Sequence, residues 1–270
     1  MAYDWIISAL DDTWSAIEAT LRGRDERAFD ALTPCPGWNV RDVVNHLTGV
    51  SLLMAGEAAP ELTGPMPSYV KNPLGELNEA FVASRRHCSG SEVLDDFIEA
   101  TSASLASLRT LSDADWEERG WSPEGERSVA YAQESRIVDS WIHLQDIRDA
   151  LLEPADDHGA GEDVVLNRFE AVLPYLWAKR AQAPEGALLQ VNLTGRLGRT
   201  ILVQVMGGRG VGLQASGDRP LVELSTDVAL YWRRCAGRIS AEAFVRASAT
   251  DVRGEVRLAQ RLADTMVVLP

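Results

Sequence analysis

Arg136-Ile137-Val138-Asp139-Ser140-Trp141-Ile142-His143-Leu144-Gln145-Asp146-Ile147-Arg148-Asp149 is the stretch on which the reading of this chain turns. As a helix it sets Asp139 and His143 one turn apart at i, i+4, with Asp146 at i+7, so three titratable groups share one stripe. Ala132 and Ala150 extend that row, and Val138, Ile142, Ile147 and Leu151 form an apolar flank that turns it inward. A carboxylate and an imidazole beside a core are costly when unpaired. A divalent metal satisfies both.

A catalytic zinc usually takes three protein ligands and keeps one open position. Of the four histidines, His46 is the best placed to be the third ligand. It borders the apolar stripe of Val40, Val43, Leu47, Val50 and Met54, whose steps of three and four mark a second amphipathic helix. His87, among Arg85, Arg86 and Cys88, and His158, beside Asp156 and Asp157, read as surface or loop residues.

At 270 residues the chain suits two ordinary domains, read here as 1–155 and 160–270. Lys plus Arg number 26 against 40 Asp plus Glu, a net charge of −14 that disfavours nucleic acid and anionic membrane as partners. No apolar run approaches a membrane span, and Met1-Ala2-Tyr3-Asp4-Trp5 lacks the character of a signal peptide, so a cytoplasmic protein is expected. Cys35, Cys88 and Cys235 are too few and too scattered for a disulfide framework or a thiolate zinc cluster. They read as ordinary thiols.

Ile7, Leu10, Trp14, Ile17 and Leu21 predict a first helix over about 4–22 with a narrow buried seam. Pro34, Pro36 and Gly37 break the chain before a second helix, where Asn39 and Asp42 form a capping pair. The Gly- and Pro-rich stretch 56–73 reads as a long connection able to gate a site. A short helix over 74–86 follows, and helices after Ser91 and over 127–152 complete a four-helix bundle of principal helices, an architecture that builds metal sites from inward-facing side chains. Beyond the linker 154–161, a helix over 162–181 holds Pro174 as a kink, and the period then changes to two. Leu189, Val191 and Leu193, then Ile201, Val203 and Val205, then Val211, Leu213 and Ala215 alternate as strands. Turns at 195–198, 207–208 and 217–218 make them an antiparallel sheet covered by helices over 227–236 and 254–263, an α+β domain. Gly207-Gly208-Arg209-Gly210 has no following helix and reads as a turn, not a phosphate loop.

The stretch from Thr33-Pro34-Cys35-Pro36-Gly37-Trp38 to Asn45-His46-Leu47, followed downstream by Asp139 to Arg148, resembles the mycothiol-dependent maleylpyruvate isomerase family of the DinB-like superfamily. The resemblance implies a DinB-like metal-binding bundle followed by a sterol-carrier-like domain, together covering nearly the whole chain. It also implies His46, Asp139 and His143 as metal ligands, with aspartate where the family has glutamate, and Gln145 and Asp146 around them. The implied chemistry is attack of a zinc-bound mycothiol thiolate on an electrophilic small molecule, as an S-transferase or an isomerase. Arg238, in a segment similar to the family's Trp-Gly-Arg region, is then the cation for an enolate or carboxylate, unless it only caps its helix.

Trp38 and Trp141 either line the thiol pocket or close the bundle. Cys35, without an evident base, reads as structural. The alternative to an enzyme is a non-catalytic ligand-binding or regulatory protein on the same scaffold. The electrophile and the oligomeric state are not legible in the sequence.

Overall fold

The computed structural model describes residues 2–62, 64–122, 125–155 and 159–269, so the expected loop residue His158 lies outside the described residues. The chain divides into two compact units, Met1–Val164 and Val165–Pro270.

In the first unit, helices α1 (Asp4–Leu21), α2 (Glu26–Phe29), α3 (Val40–Met54), α4 (Pro73–Arg85), α5 (Gly90–Leu108) and α6 (Asp113–Glu117) precede two short strands, β1 (Arg119–Gly120) and β2 (Arg127–Ser128), and helix α7 (Val129–Ala150). The four longest helices close a ring: α1 packs on α5 and α7, and α3 packs on the same two. Their shared core holds Leu10, Trp14 and Ile17 from α1, Val43 and Leu47 from α3, Phe97 and Leu105 from α5, and Ile137 and Leu144 from α7. Burial of each such side chain contributes roughly 1.5–3 kcal/mol. The α1 seam is wider than its sequence suggested, because Ile6, Ala9 and Thr13 are buried as well. Thr13 fits by returning its hydroxyl to the Ala9 carbonyl, 2.7 Å away.

The starts of these helices are set locally. Asn39 and Asp42 close a capping box at α3, and Ser89 with Glu92 does the same at α5. Helix α7 begins two residues later than expected because Arg127 and Ser128 pair with Gly120 and Arg119, and Ser128 then caps the helix. α4 packs on α3, and every residue of α3 from Val40 to Gly49 is buried.

Helix α8 (Gly161–Tyr175) passes just beyond Pro174 into a π-helical turn, Leu176–Arg180. Proline lacks the N–H that an α-helical ladder needs, and a change of winding absorbs the defect. The sheet of the second unit consists of β3 (Leu188–Thr194), β4 (Thr200–Met206), β5 (Arg209–Leu213), β6 (Val222–Asp227) and β7 (Asp251–Gly254), in the order β5-β4-β3-β6-β7. Helices α9 (Val228–Cys235), α10 (Ala241–Arg246) and α11 (Val256–Thr265) complete this unit.

Three of the sheet's four pairings are antiparallel, and β3 with β6 is parallel. The expected hairpin at 217–218 is therefore a crossover: the chain leaves the edge strand β5 and returns beside β3, matching Leu189 to Val222 and Val191 to Leu224 on the buried face. Strand β6 went unread, although Val222, Leu224 and Thr226 alternate with half-buried neighbours. Asp227 ends that strand and caps α9, and the helix reading absorbed it. At 207–208 the turn is the expected one, since both glycines have positive φ (59° and 69°), as a two-residue hairpin of mirror-image type requires. Its two N–H groups hold the chain's own Glu185 carboxylate at 2.7 and 2.9 Å. Among the described residues no helix is long and apolar enough to cross a membrane.

Candidate metal centre

Helix α3 contributes His46 to the site, and α7 contributes Asp139 and His143. Ligand atoms of the three lie within 4.8 Å of one another. His46 Nε2 is 3.1 and 3.4 Å from the two Asp139 oxygens, and His143 Nε2 is 3.6 Å from Oδ1. The carboxylate thus stands between two imidazoles. Both histidines are almost wholly buried, whereas the Asp139 side chain is 36 % exposed, so the cluster opens towards solvent on the carboxylate side.

The ring of His143 is oriented from behind. Asp146 accepts its Nδ1–H at 2.9 Å and is itself only 1 % exposed, which leaves Nε2 as the free lone pair facing Asp139. Among the described residues His46 has no such support, since its Nδ1 is buried without a hydrogen-bond partner. Gln145 is buried as well, but two residues along from His143 it lies on another face of α7.

Trp38 covers the two rings, its centroid 5.0 Å from His46 and 6.1 Å from His143. Its indole N–H donates to Glu79 Oε2 at 3.2 Å. The sequence reading missed Glu79, a fully buried carboxylate on α4 that also accepts from Tyr69 Oη at 3.0 Å and from Arg86 Nη1 at 2.7 Å. Arg86 reaches Asp42 at 3.1 Å, so one network joins the α3 cap, the connection before α4 and the tryptophan over the site. Burial raises the Asp42 pKa despite Arg86, while Arg86, pulled down by burial, is raised overall by Tyr69, Asp42 and Glu79. The connection expected as a gate is thereby tied at Tyr69, whose ring lies where a Cβ on Gly37 would stand, 2.3 Å away.

Trp141 does not join the site. Two residues from both Asp139 and His143, it points roughly 200° around the helix from each, and its ring packs on Gly161, where a Cβ would come within 2.4 Å of it. Arg238 lies in the second unit just after α9, where its Nη1 donates to the Ala236 carbonyl at 3.0 Å. That contact is the helix-end role. His87 is exposed, as expected.

A helical unit with two histidines and one aspartate converging across α3 and α7, followed by an α+β unit, defines the class. The family model for the mycothiol maleylpyruvate isomerase N-terminal domain matches residues 10–148, and the chain belongs to that family. Two solved structures of mycothiol-dependent maleylpyruvate isomerase share the fold. One aligns at TM-score 0.60 with 16 % identity, covering 93 % of this chain and 93 % of that one. The other, a histidine-to-alanine mutant, aligns at TM-score 0.59 with 17 % identity, covering 88 % and 90 %. A sterol carrier protein 2-like structure from Aedes aegypti aligns with 38 % of this chain and 93 % of its own at 15 % identity and a TM-score of 0.27, too low to bear on the second unit. No curated protein matches the sequence significantly.

Proposed function

We propose that this chain is a metal-dependent, thiol-using enzyme in which His46, Asp139 and His143 hold a divalent ion, zinc in the first instance, and mycothiol is the thiol cosubstrate. The observation that carries this reading is the convergence of the three ligand atoms within 4.8 Å, with His143 held by Asp146. Two imidazoles and a carboxylate are a donor set of catalytic zinc sites that leave a fourth position open, and the solvent-facing side of Asp139 provides room for one. Aspartate is one methylene shorter than glutamate, and its oxygens at 3.1 Å from His46 Nε2 and 3.6 Å from His143 Nε2 support its reading as a ligand.

When bound, zinc lowers the pKa of a thiol from about 8.5 and makes thiolate available near neutral pH. The chain's own residues do the rest. Asp146 keeps the Nδ1 proton on His143 and so presents Nε2 to the site. Trp38, held by Glu79, covers both imidazoles and limits water there. A thiolate adding to a conjugated double bond leaves a single bond about which the substrate rotates. Expulsion of the thiolate then completes an isomerisation, and its retention, or displacement of a leaving group, completes an S-transfer. S-transfer to an electrophilic small molecule is the proposed outcome.

Metal content by plasma mass spectrometry, on the wild type and on His46→Ala, Asp139→Ala and His143→Ala, tests the centre. The expected result is about one zinc per chain, lost in each folded variant, and conjugation of mycothiol to a general electrophile only by the metal-loaded protein. A wild type that stays metal-free after zinc addition overturns this reading in favour of a binding protein on the same scaffold.

A further inference from the structure

Arg136 lies one turn before Asp139 on the same stripe of α7, and only 6 % of it is exposed. Burial lowers its pKa to about 10, opposed by the charge of Asp139, so the guanidinium remains a cation at neutral pH. Its partners are nevertheless neutral: Nη1 donates to Gln133 Oε1 at 3.0 Å and Nη2 to Ser51 Oγ at 2.9 Å. Its face lies 4.7 Å over the ring of Trp14, which is itself fixed by a hydrogen bond from Nε1 to Ser140 Oγ at 2.9 Å. Among the described residues no carboxylate comes within ion-pair distance of it. A buried cation that the charge of Asp139 reaches only from beyond ion-pair distance is expensive, and this one is stacked in a fixed plane with further N–H donors of its fork beyond the two engaged.

Arg136 forms part of the wall of a cavity of about 400 Å³ between α3, α5 and α7, lined also by the polar side chains of Thr48, Ser51, Ser104, Ser107 and Gln133. Arg85, in the same wall, is already paired with Asp96. Glu57 and Glu99 also line the cavity but are exposed, where water weakens their charge, whereas the charge of Arg136 acts from the buried wall.

We propose that this cavity is a binding site for a small carboxylic acid, whose carboxylate is taken by the free edge of the Arg136 guanidinium. The proposal concerns a site separate from the metal ligands and does not depend on the thiol chemistry.

Calorimetric titration with succinate and with its dimethyl ester tests it on the full-length protein. The wild type is expected to bind succinate at least ~10-fold more tightly than the ester, the scale of one charge-assisted contact. Arg136→Met is expected to lose that binding, and Ala103→Trp, which places a large side chain at an exposed position of the wall, is expected to block it with Arg136 intact. His46→Ala retains it, which separates this cavity from succinate ligating a metal. Circular dichroism verifies folding of each variant. Equal binding of acid and ester by the wild type, absence of binding, unchanged binding in folded Arg136→Met or Ala103→Trp, or loss in His46→Ala overturns the proposal. Should Arg136→Met fail to fold, Ala103→Trp decides the matter.

Discussion

The Nδ1 proton of His143 is committed to Asp146, and that one hydrogen bond determines which ring nitrogen faces the site. Outer partners of this kind typically set metal affinity within a factor of ~10–100. Asp146→Ala is therefore expected to weaken zinc binding by about that factor while leaving the three ligands in place, as read by competition with a coloured chelator; unchanged affinity would mean that the ring is held by packing alone. Thiol reactivity also follows from local surroundings. Burial pushes the Cys235 thiol up to about 12, whereas Cys35 and Cys88 are half-buried. Since thiolate is the reactive form, an aromatic disulfide reagent is expected to modify two thiols in the native protein and the third only in denaturant. Rapid titration of all three would refute that assignment. The ligand pair on α7 was legible in the sequence because i, i+4 spacing is a local property. For Trp141 the sequence left pocket and packing open, and its ring packs on Gly161.

At the scale of elements, α4 connects the site to the rest of its unit. Its sequence shows little apolar periodicity, yet its Glu79 receives the indole of Trp38, a residue 41 positions away, together with Tyr69 and Arg86. No sequence pattern links those four residues, since their meeting depends on how α4 lies on α3. Glu79→Ala leaves the indole N–H of Trp38 unpaired and Arg86 with Asp42 as its remaining carboxylate partner, and is expected to cost about 2–3 kcal/mol in urea unfolding. Glu79→Gln, which keeps the shape and part of the bonding, should cost less. Equal losses for the two would assign the effect to packing. The second unit holds a comparable case. The period-two runs of β3 and β4 declared themselves, but the partner on the other side of β3 is β6, reached through a crossover that hairpin turns do not foretell.

For the whole molecule, a metal that binds only the folded state stabilises it by mass action, by about 2.7 kcal/mol when free zinc is one hundred times its dissociation constant. Thermal or urea unfolding with and without chelator is expected to show that increment in the wild type and to show none in His46→Ala; equal increments would place the ion elsewhere. What the sequence by itself determined was everything carried by near neighbours: the apolar faces of the long helices, the capping pair of Asn39 and Asp42, the glycine turn at 207–208, and the row of Asp139, His143 and Asp146. Hydrogen-bonded turns and helical spacing need only a few residues of chain, so composition and period reveal them. Only the tertiary structure decided that His46 meets Asp139 across 93 residues, that Glu79 lies behind Trp38, that β3 pairs in parallel with β6, and that Arg136 is buried with neutral partners. Each of these depends on the packing of helix on helix or strand on strand, which fixes distances between groups that the chain itself leaves free.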